Sequence, residues 1–376
     1  MAAGKARAVL YAVGDIAPDR EDPRQSFDLV RDRIREADIA FCQLEVNLTE
    51  RGSRLPQARH TVRAAPAIAA AIKDAGFNVV SFAGNHCMDW GQEGFFDTID
   101  NLRAQDLGVV GVGADILEAR KPLFVEANGC RVAFLAYSSI LPMSYWADER
   151  RPGCAPMRAH TLYEQIEHDQ PGTPARIHTF PHRGDLAALE EDVRKAKAEA
   201  DVVAVSLHWG IHFVEATIAD YQRDVAYAAI DAGADLILGH HAHILKGVEI
   251  YKGVPILYSL CNFAVDLRMD EAHANSASFK EIQTLNASWI PDFDSLYNFP
   301  QDSRMTLVAK AVIEDGKVAA LSLLPAYVNK DAQPAILSAD DPRFGEVLAY
   351  LDKITRAAGL GARFEVRGDE VVPLPA

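Results

Sequence analysis

The stretch Ala234-Asp235-Leu236-Ile237-Leu238-Gly239-His240-His241-Ala242-His243 places three histidines within four residues, directly after an apolar run. The run predicts a buried strand, so the histidines come where that strand passes into a loop. Strand ends are where rigid scaffolds present ligands and catalytic groups, and imidazole is a common metal ligand. The motif is therefore either one wall of a metal site or a His-rich turn at the surface. Ligands elsewhere in the chain decide between the two.

Composition indicates a globular protein and limits the classes of molecule that it is expected to bind. The chain has 376 residues, 49% hydrophobic and 24% charged, which suits one large α/β domain with insertions. Its formal net charge of -15 argues against general binding to nucleic acids or anionic membranes, because an acidic surface repels them. A cleft that contains metal can still accept a small or peptide-like anionic substrate.

The cysteines and the N-terminus favour a cytoplasmic protein. Five cysteines are scattered without CxxC spacing, which is typical of reduced thiols rather than of a disulfide framework. The N-terminus leads directly into a strand-like segment, and no apolar run reaches 18 residues. We therefore expect neither a signal peptide nor a membrane span. The oligomeric state stays open.

Strand-like and helix-like segments alternate along the chain, which predicts a layered α/β domain spanning residues 1–376. Residues 141–183 and 264–303 do not fit the alternation, and we expect them to be insertions that form pocket walls or lids. The expected strands are Arg7 to Val13, Ile39 to Leu44, Asn78 to Phe82, Lys121 to Val125, Arg131 to Tyr137, Val202 to Leu207, Asp235 to Leu238, Val248 to Tyr251 and Ile256 to Leu260. The expected helices are Gln25 to Glu36, Pro66 to Asp74, Gly91 to Gln105, Gly184 to Glu199 and Asp220 to Ala232.

Side chains that commonly bind metals recur at the ends of five predicted strands. Taken singly, an aspartate or histidine after a strand is usually a turn, cap or structural residue. Five strand ends that deliver such residues to one edge of a sheet are hard to explain by turn chemistry. The residues are Asp15, Glu45, Asn47, Asn85, His86, Asp89, His208, His241 and His243.

A site for two divalent cations would account for the set. Two cations about 3.5–4 Å apart need a bridging carboxylate and further ligands, and a water between them becomes a nucleophile near neutral pH. Mixed nitrogen and oxygen ligands suit Mn, Zn or Fe better than Ca or Mg, which prefer oxygen. The six candidate ligands are Asp15, Glu45, Asn85, His208, His241 and His243.

The motifs as a set resemble the CapA family, which is named for a poly-γ-glutamate capsule biosynthesis protein and belongs to the calcineurin-like metallophosphoesterase superfamily. The resemblance covers residues 8–265. It implies a metallophosphoesterase-like sandwich of two mixed β-sheets flanked by helices, with the tail from Met305 completing the second sheet. The motifs are Gly14-Asp15, Glu45-Val46-Asn47, Gly84-Asn85-His86-Cys87-Met88-Asp89-Trp90-Gly91, His208-Trp209-Gly210, Asp231-Ala232-Gly233-Ala234-Asp235, Gly239-His240-His241-Ala242-His243 and Tyr258-Ser259-Leu260-Cys261-Asn262-Phe263.

The resemblance also implies a role for each position. His86 would contact the substrate and assist the leaving group, and Asp89 would orient it. His240 would be a bystander, because it points to the opposite side if the strand geometry persists. For the metals, Asp15 and His243 would hold one ion, Asn85, His208 and His241 would hold the other, and Glu45 would bridge them.

Three positions depart from the family pattern. The opening Asp-x-His of the superfamily is here Asp15-Ile16-Ala17, so one ion lacks an imidazole ligand. His212 stands near the position of a glutamate after His-Trp-Gly, and it is a substrate contact, an extra ligand or a surface residue. Cys261 replaces a glycine, which either reshapes the pocket or only changes the packing.

The expected function is that of a metal-dependent hydrolase with two divalent ions. In it a metal-activated water attacks a phosphoester or an amide bond, including a γ-glutamyl bond. Candidate substrate contacts are Asn47, His212, Arg151 and Arg158, and the simpler interpretation of the arginines is a solvated loop. The alternative is a non-catalytic metal-binding accessory protein in the synthesis or export of a poly-γ-glutamate capsule. The nearly complete ligand set favours catalysis.

Overall fold

The computed structural model describes residues 6–58, 63–169 and 172–376. The strands, in chain order, are β1 (Arg7–Ala17), β2 (Ile39–Leu44), β3 (Asn47–Leu48), β4 (Arg63–Ala64), β5 (Val79–Ser81), β6 (Gly108–Val110), β7 (Val112–Gly113), β8 (Leu123–Ala127), β9 (Cys130–Ser138), β10 (Gly153–Cys154), β11 (Ala159–Glu164), β12 (Arg176–Pro181), β13 (Val202–His208), β14 (Leu236–His240), β15 (Val248–Tyr251), β16 (Val254–Leu257), β17 (Asn262–Val265), β18 (Met305–Glu314), β19 (Lys317–Val328), β20 (Pro334–Ile336), β21 (Arg363–Arg367) and β22 (Glu370–Leu374).

Along the chain, most of the helices come between strands of the two sheets. The α-helices are α1 (Arg31–Ile34), α2 (Ile68–Asp74), α3 (Gly91–Arg103), α4 (Ile116–Ala119), α5 (Arg183–Glu199), α6 (Asp220–Ala232), α7 (Glu271–Ala274), α8 (Ala277–Gln283) and α9 (Pro342–Ala357). Short 3₁₀ helices cover Pro23–Phe27, Met143–Tyr145 and Gln301–Arg304. Within the described ranges, none of these helices has both the length and the apolar character that crossing a bilayer requires.

Two large mixed sheets form the centre of the molecule. The first has the order β21-β22-β19-β18-β1-β2-β5-β6, with β17 also beside β1 and β20 beside β19. The second has the order β15-β16-β14-β13-β9-β8. Each combines parallel pairs, such as β1 with β2 and β13 with β14, with antiparallel pairs, such as β18 with β19 and β8 with β9. The expected α/β sandwich of two mixed sheets flanked by helices is confirmed.

The side chains of β13 show where the two cores lie. Successive residues of a strand face opposite sides, so Val202 and Ala204 join the core between the sheets while Val203 and Val205 face the core beneath α5 and α6. Every residue of β13 is buried, as is typical of a central parallel strand. Both sheets therefore position their strand ends rigidly.

β8 and β9 form a hairpin after α4. Asn128 and Gly129 form its two-residue turn with φ values of 50° and 81°, and Ala127 pairs with Cys130 on either side. Two consecutive residues with positive φ match the right-handed twist of the flanking strands, and Asn-Gly adopts that conformation readily.

Two expectations about the fold are wrong. A single helix from Gln25 to Glu36 does not form; the chain makes the 3₁₀ helix Pro23–Phe27 and then α1, because Val30 at φ -127° interrupts the helical backbone while still burying its side chain. The tail from Met305 does not complete the second sheet. It joins the first sheet, where β18 pairs antiparallel with Arg7 to Ala12 of β1, on the edge of β1 opposite β2.

The two insertions differ in structure. Residues 141–183 contain the hairpin of β11 and β12, which is tied to α6 by the hydroxyl of Thr179 accepting from the backbone N–H of Tyr221 at 3.1 Å. Residues 264–303 contain α7 and α8, whose Phe279 packs with Trp289 and Phe213 in a third small apolar cluster.

Two glycines allow backbones to approach closely where the sheets meet. A Cβ added to Gly14 would lie 1.8 Å from the carbonyl oxygen of Cys261, and one added to Gly239 would lie 2.1 Å from that of Tyr258. Neither clash can be relieved by a flexible side chain, because both involve backbone. The segment after β16 is thereby held directly against β1 and β14.

We predict that Gly239→Ala lowers the free energy of unfolding by about 1–3 kcal/mol, because the added methyl group forces the backbone apart. The matched control is Gly345→Ala in α9, where a Cβ meets nothing within 4 Å. The control should raise stability by about 0.5–1 kcal/mol through helix propensity. Urea denaturation measures both, and equal effects would contradict the proposed close approach.

Candidate metal centre

Four strands and one loop bring the candidate ligands to one edge of the sandwich. Asp15 lies in β1 and is fully buried, Glu45 follows β2 directly, and His208 ends β13. His241 and His243 follow β14, and Asn85 lies in the loop after β5. β1 runs parallel to β2, and β13 runs parallel to β14, so the carboxyl ends of each pair lie together at this edge.

The candidate ligands fall into two overlapping groups. Possible ligand atoms of Glu45, His208 and His241 all lie within 4.8 Å of one another, as do those of Asp15, Glu45 and His243. Asn85 joins the first group, because its Oδ1 lies 2.7 Å from Nε2 of His208. Glu45 belongs to both groups, so the two groups meet at its carboxylate.

The donor atoms fit divalent cations. Oδ1 of Asp15, Oε1 of Glu45 and Nδ1 of His241 are buried, and among the described residues none has a partner in hydrogen-bonding geometry. Imidazole nitrogens of His240 and His208 lie 3.2 Å and 3.4 Å from the two carboxylate oxygens without that geometry. Buried polar atoms nearly always have a partner, so three unsatisfied donors and acceptors facing one small region need an explanation. A cation between carboxylate and imidazole ligands provides it.

The protonation states also suit metal binding. Burial alone would raise the pKa of Glu45, but the charge of His243 and the nearby His208, whose Nε2 lies 3.4 Å from Oε1, outweigh it and lower that pKa to about 2. Burial, together with the charges of His208 and His212, holds the pKa of His241 well below its usual value. An ionised carboxylate and a neutral imidazole are the forms that coordinate metals.

Left-handed backbone concentrates around the ligands. His241, His243, Phe213 and Cys261 have φ values of 85°, 55°, 59° and 69°. Non-glycine residues rarely adopt this conformation, and it costs of order 1–3 kcal/mol where the surroundings impose it. The turn at His241 is held by Oδ2 of Asp15, which accepts from its backbone N–H at 3.0 Å.

Asn262 orients His243, a contact that sequence reasoning missed. Its Oδ1 lies 2.8 Å from Nδ1 of His243, and its amide donates to the hydroxyl of Tyr297 at 2.9 Å. That hydroxyl in turn donates to the carbonyl of Ser303, which fixes the amide. Carboxamide or carboxylate partners commonly orient metal-binding imidazoles. The Leu260-Cys261-Asn262-Phe263 motif carried the signal, but it was interpreted only as family resemblance.

His86 and Asp89 form a second assembly beside the ligands. Nδ1 of His86 donates to Oδ2 of Asp89 at 2.6 Å, and the hydroxyl of Tyr145 donates to Oδ1 of Asp89 at 2.9 Å. Burial lowers the pKa of His86, but Asp89, with help from Glu45 and Asp15, outweighs it and raises that pKa to about 9. Tyr145, in the first insertion, was not identified from the sequence.

His240 lies closer to the site than expected. It belongs to neither ligand group, but its Nδ1 is 3.2 Å from Oδ1 of Asp15, and its ring faces the core beside Phe41. Its contact with Asp15 comes from the side of the core, because β14 continues through His240 before the turn begins.

The candidate substrate contacts lie in different places. Asn47 is buried and ties the loop after β5 through bonds to the carbonyl of Cys87 (2.8 Å) and the N–H of Trp90 (3.3 Å). Arg158 pairs with Asp185, and Arg151 donates to the carbonyl of Trp146. His212 packs 5.2 Å from the ring of His241, and burial followed by the charge of His243 lowers its pKa to about 4.

A cavity of about 540 Å³ opens beside the ligands. Glu45, Asn85, His86, His241 and His243 line one side, with His212 and Ala17 at its border. Residues between 265 and 299 of the second insertion supply most of the remaining lining. Within the described residues, none of 141–183 lines the cavity, so Arg151 and Arg158 lie outside it.

Comparisons with known proteins identify the family. The family model described as "Bacterial capsule synthesis protein PGA_cap" matches residues 9–267. The "PGA biosynthesis protein CapA" of Bacillus subtilis is 33% identical over 196 residues, which are 52% of this chain and 44% of that protein. A "Probable polyglutamine synthesis accessory protein" of Mycobacterium tuberculosis is 32% identical over 235 residues, 61% of this chain and 56% of that protein. The chain thus spans less than two thirds of either relative.

Among solved structures, "calcineurin-like phosphoesterase YfkN" of Bacillus subtilis has a TM-score of 0.41 at 14% identity, covering 94% of this chain and 98% of that one. The family model covers more than half of the chain and includes all six candidate ligands. The resemblance to the CapA family is therefore confirmed, and the chain belongs to the bacterial capsule synthesis protein PGA_cap family.

Proposed function

We propose that the chain is a metal-dependent hydrolase that acts on a phosphoester or an amide bond. The observation that carries the proposal is the pair of ligand groups that share the buried Glu45 and face an open cavity. Two divalent transition-metal ions, Mn, Zn or Fe, would be held by Asp15, Glu45, Asn85, His208, His241 and His243. When bound, such ions polarise the reacting oxygen of a substrate and acidify a water.

The residues of the chain supply the proton for the leaving group. His86 lines the cavity, and its Nδ1 is fixed by Asp89, which leaves Nε2 to face a substrate. As water oxygen bonds to phosphorus or carbonyl carbon, the water gives up a proton to solvent, and the bond to the leaving oxygen or nitrogen breaks. The leaving atom takes a proton from Nε2 of His86, which solvent then restores. Phosphoester and amide cleavage both develop negative charge on oxygen, so the same assembly serves either.

We also propose that the protein works in the cytoplasm on a small anionic substrate. All five cysteines are buried and unpaired, which suits the reducing cytoplasm. A small or peptide-like anionic molecule fits the region of the ligands, because bound cations would outweigh the negative charge of the chain there.

The second candidate function is that of a metal-binding accessory protein without turnover. Its support is that the relatives are named for the biosynthesis of PGA and as an accessory protein of polyglutamine synthesis. The two candidates differ in one outcome, because only the hydrolase turns over a substrate once metal is restored.

We predict that the protein reconstituted with Mn²⁺ holds two ions per chain. His241→Ala and His243→Ala should each lose about one ion, and Glu45→Ala should lose both, because Glu45 serves both groups. His160→Ala, an exposed histidine of β11, is the matched control and should keep both. Elemental analysis of the dialysed proteins gives the count. Wild-type protein that retains no transition metal would rule out the hydrolase.

We predict that His86→Gln lowers kcat for ethyl phosphate by about 10²–10⁴-fold while metal content stays unchanged. The loss should be much smaller for p-nitrophenyl phosphate, because that leaving group departs without a proton. Tyr145→Phe, which removes only one bond to Asp89, should have a smaller effect with the same pattern. Equal losses on the two esters would show that His86 is not the proton donor.

We predict that Ala17→His tightens binding of the ion held by Asp15 and His243. Ala17 borders the cavity at the position where the superfamily pattern has histidine. Orienting partners alone change metal affinity by 10–100-fold, so a new direct ligand should raise Mn²⁺ affinity by about tenfold or more. Ala17→Leu controls for bulk. Equal affinities of the two variants in calorimetric titration would place the ion elsewhere.

A further inference from the structure

We infer that the substrate carries an aromatic or aliphatic group next to the bond that is cleaved, and that this group binds against the second insertion. The inference rests on the proposed function and narrows it to one class of substrate. It distinguishes this protein from an enzyme whose cavity binds a polycarboxylate polymer.

The cavity is continuous with the candidate ligands and extends well beyond them. Its volume of about 540 Å³ lies in the range of sites that enclose a whole small molecule. A phosphate or carboxamide at the ligands fills only the end near His241 and His243. The rest of a substrate must therefore lie against the wall formed by residues 265–299.

That wall is aromatic and begins at a ligand. The ring of His243 lies 5.3 Å from Phe213 and 5.2 Å from Phe299, and Trp289 lies 4.9 Å from Phe213. Phe279 meets Trp289 edge to face at 5.1 Å. Ring centroids at these distances are typical of packed aromatic clusters. A flat apolar group of a substrate, extending from the candidate ligands toward this wall, would add one more ring to the cluster.

The wall presents mainly apolar surface to the cavity. The indole nitrogen of Trp289 donates to the carbonyl of Asn298 at 2.8 Å, so the polar end of this side chain is already satisfied within the protein. Met269, Leu267, Ile282 and Leu285 add aliphatic surface around the rings.

The charges of the cavity oppose a polyanion. Among the described residues that line it there is no lysine or arginine, and the acids outside the ligand region are Asp266 and Glu281. Arg20, the arginine bound to Asp266, is almost completely buried in that ion pair. Lys246 is also buried and donates to the carbonyls of Val214 and Thr217. Recognition of several carboxylates requires several accessible cations, and among the described residues His273 is the one side chain of this wall that can carry a positive charge.

Two matched pairs of substrates test the inference on the Mn-loaded protein. The first pair is 2-(1-naphthyl)ethyl phosphate and ethyl phosphate, and the second is the corresponding pair of γ-glutamyl amides. Each pair shares its leaving atom, so a difference in kcat/KM reports binding of the naphthyl group. We expect the naphthyl member of the cleaved pair to be favoured by about 100-fold. No preference, or efficient cleavage of poly-γ-glutamate, would overturn the inference while leaving the hydrolase intact.

A binding measurement separates failure of the inference from failure of the proposed function. Calorimetry of the metal-free protein with 2-(1-naphthyl)ethanol needs no turnover. Leu285→Lys places a charge on a cavity-lining residue that is 42% exposed, and it should weaken binding by about tenfold or more. Ile290→Lys, in the same insertion but 81% exposed and outside this cavity, is the control and should bind normally.

The outcomes are distinct. If Leu285→Lys weakens binding of 2-(1-naphthyl)ethanol and no substrate is turned over, the apolar site is supported and the proposal of a hydrolase is rejected. If a substrate is turned over but 2-(1-naphthyl)ethanol does not bind, the apolar site is rejected and the proposal of a hydrolase stands. Equal effects of Leu285→Lys and Ile290→Lys would also overturn the site, since the binding would then lie elsewhere.

Discussion

The buried carboxylates of Asp15 and Glu45 are the constraint on which the rest of this site depends. Removing an ion from water costs several kcal/mol even after the protein relaxes, unless opposite charge and hydrogen bonds balance it. Here the balance is incomplete, because Oδ1 of Asp15 and Oε1 of Glu45 find no hydrogen-bond partner among the described residues. Their surroundings are imidazoles that are themselves short of partners, which is the arrangement that bound cations would complete.

The backbone around these carboxylates is arranged at some cost to stability. Gly14 and Gly239 admit the carbonyls of the segment after β16, and His241 and His243 adopt left-handed conformations that turn their rings toward Glu45. Cys261 takes the same conformation at φ 69° without being glycine, while its Sγ lies 3.3 Å from the carbonyl of Ser303. Such strain persists only where tertiary contacts impose it, and here it surrounds the ligands.

The sequence was sufficient for the sandwich and for the grouping of the ligands, because parallel strands deliver their ends to one edge and each strand end carried a ligand-type residue. It was not sufficient for Asn262 or Tyr145, whose roles arise from contacts with His243 and Asp89 that are remote in the chain. The helix expected from Gln25 failed because tertiary burial of Val30 outweighed local periodicity. The aromatic wall had no motif, since its rings come together only in the fold, where α8 and the loop after it pack on Phe213 from the segment after β13.

The central claim is that two metal ions share Glu45 between the two ligand groups. Anomalous diffraction from crystals of the Mn-loaded protein, recorded at the manganese edge, tests it directly. The account predicts two peaks about 3.5–4 Å apart, one on either side of the Glu45 carboxylate. A single peak that Glu45 does not contact, or peaks remote from His241 and His243, would contradict it.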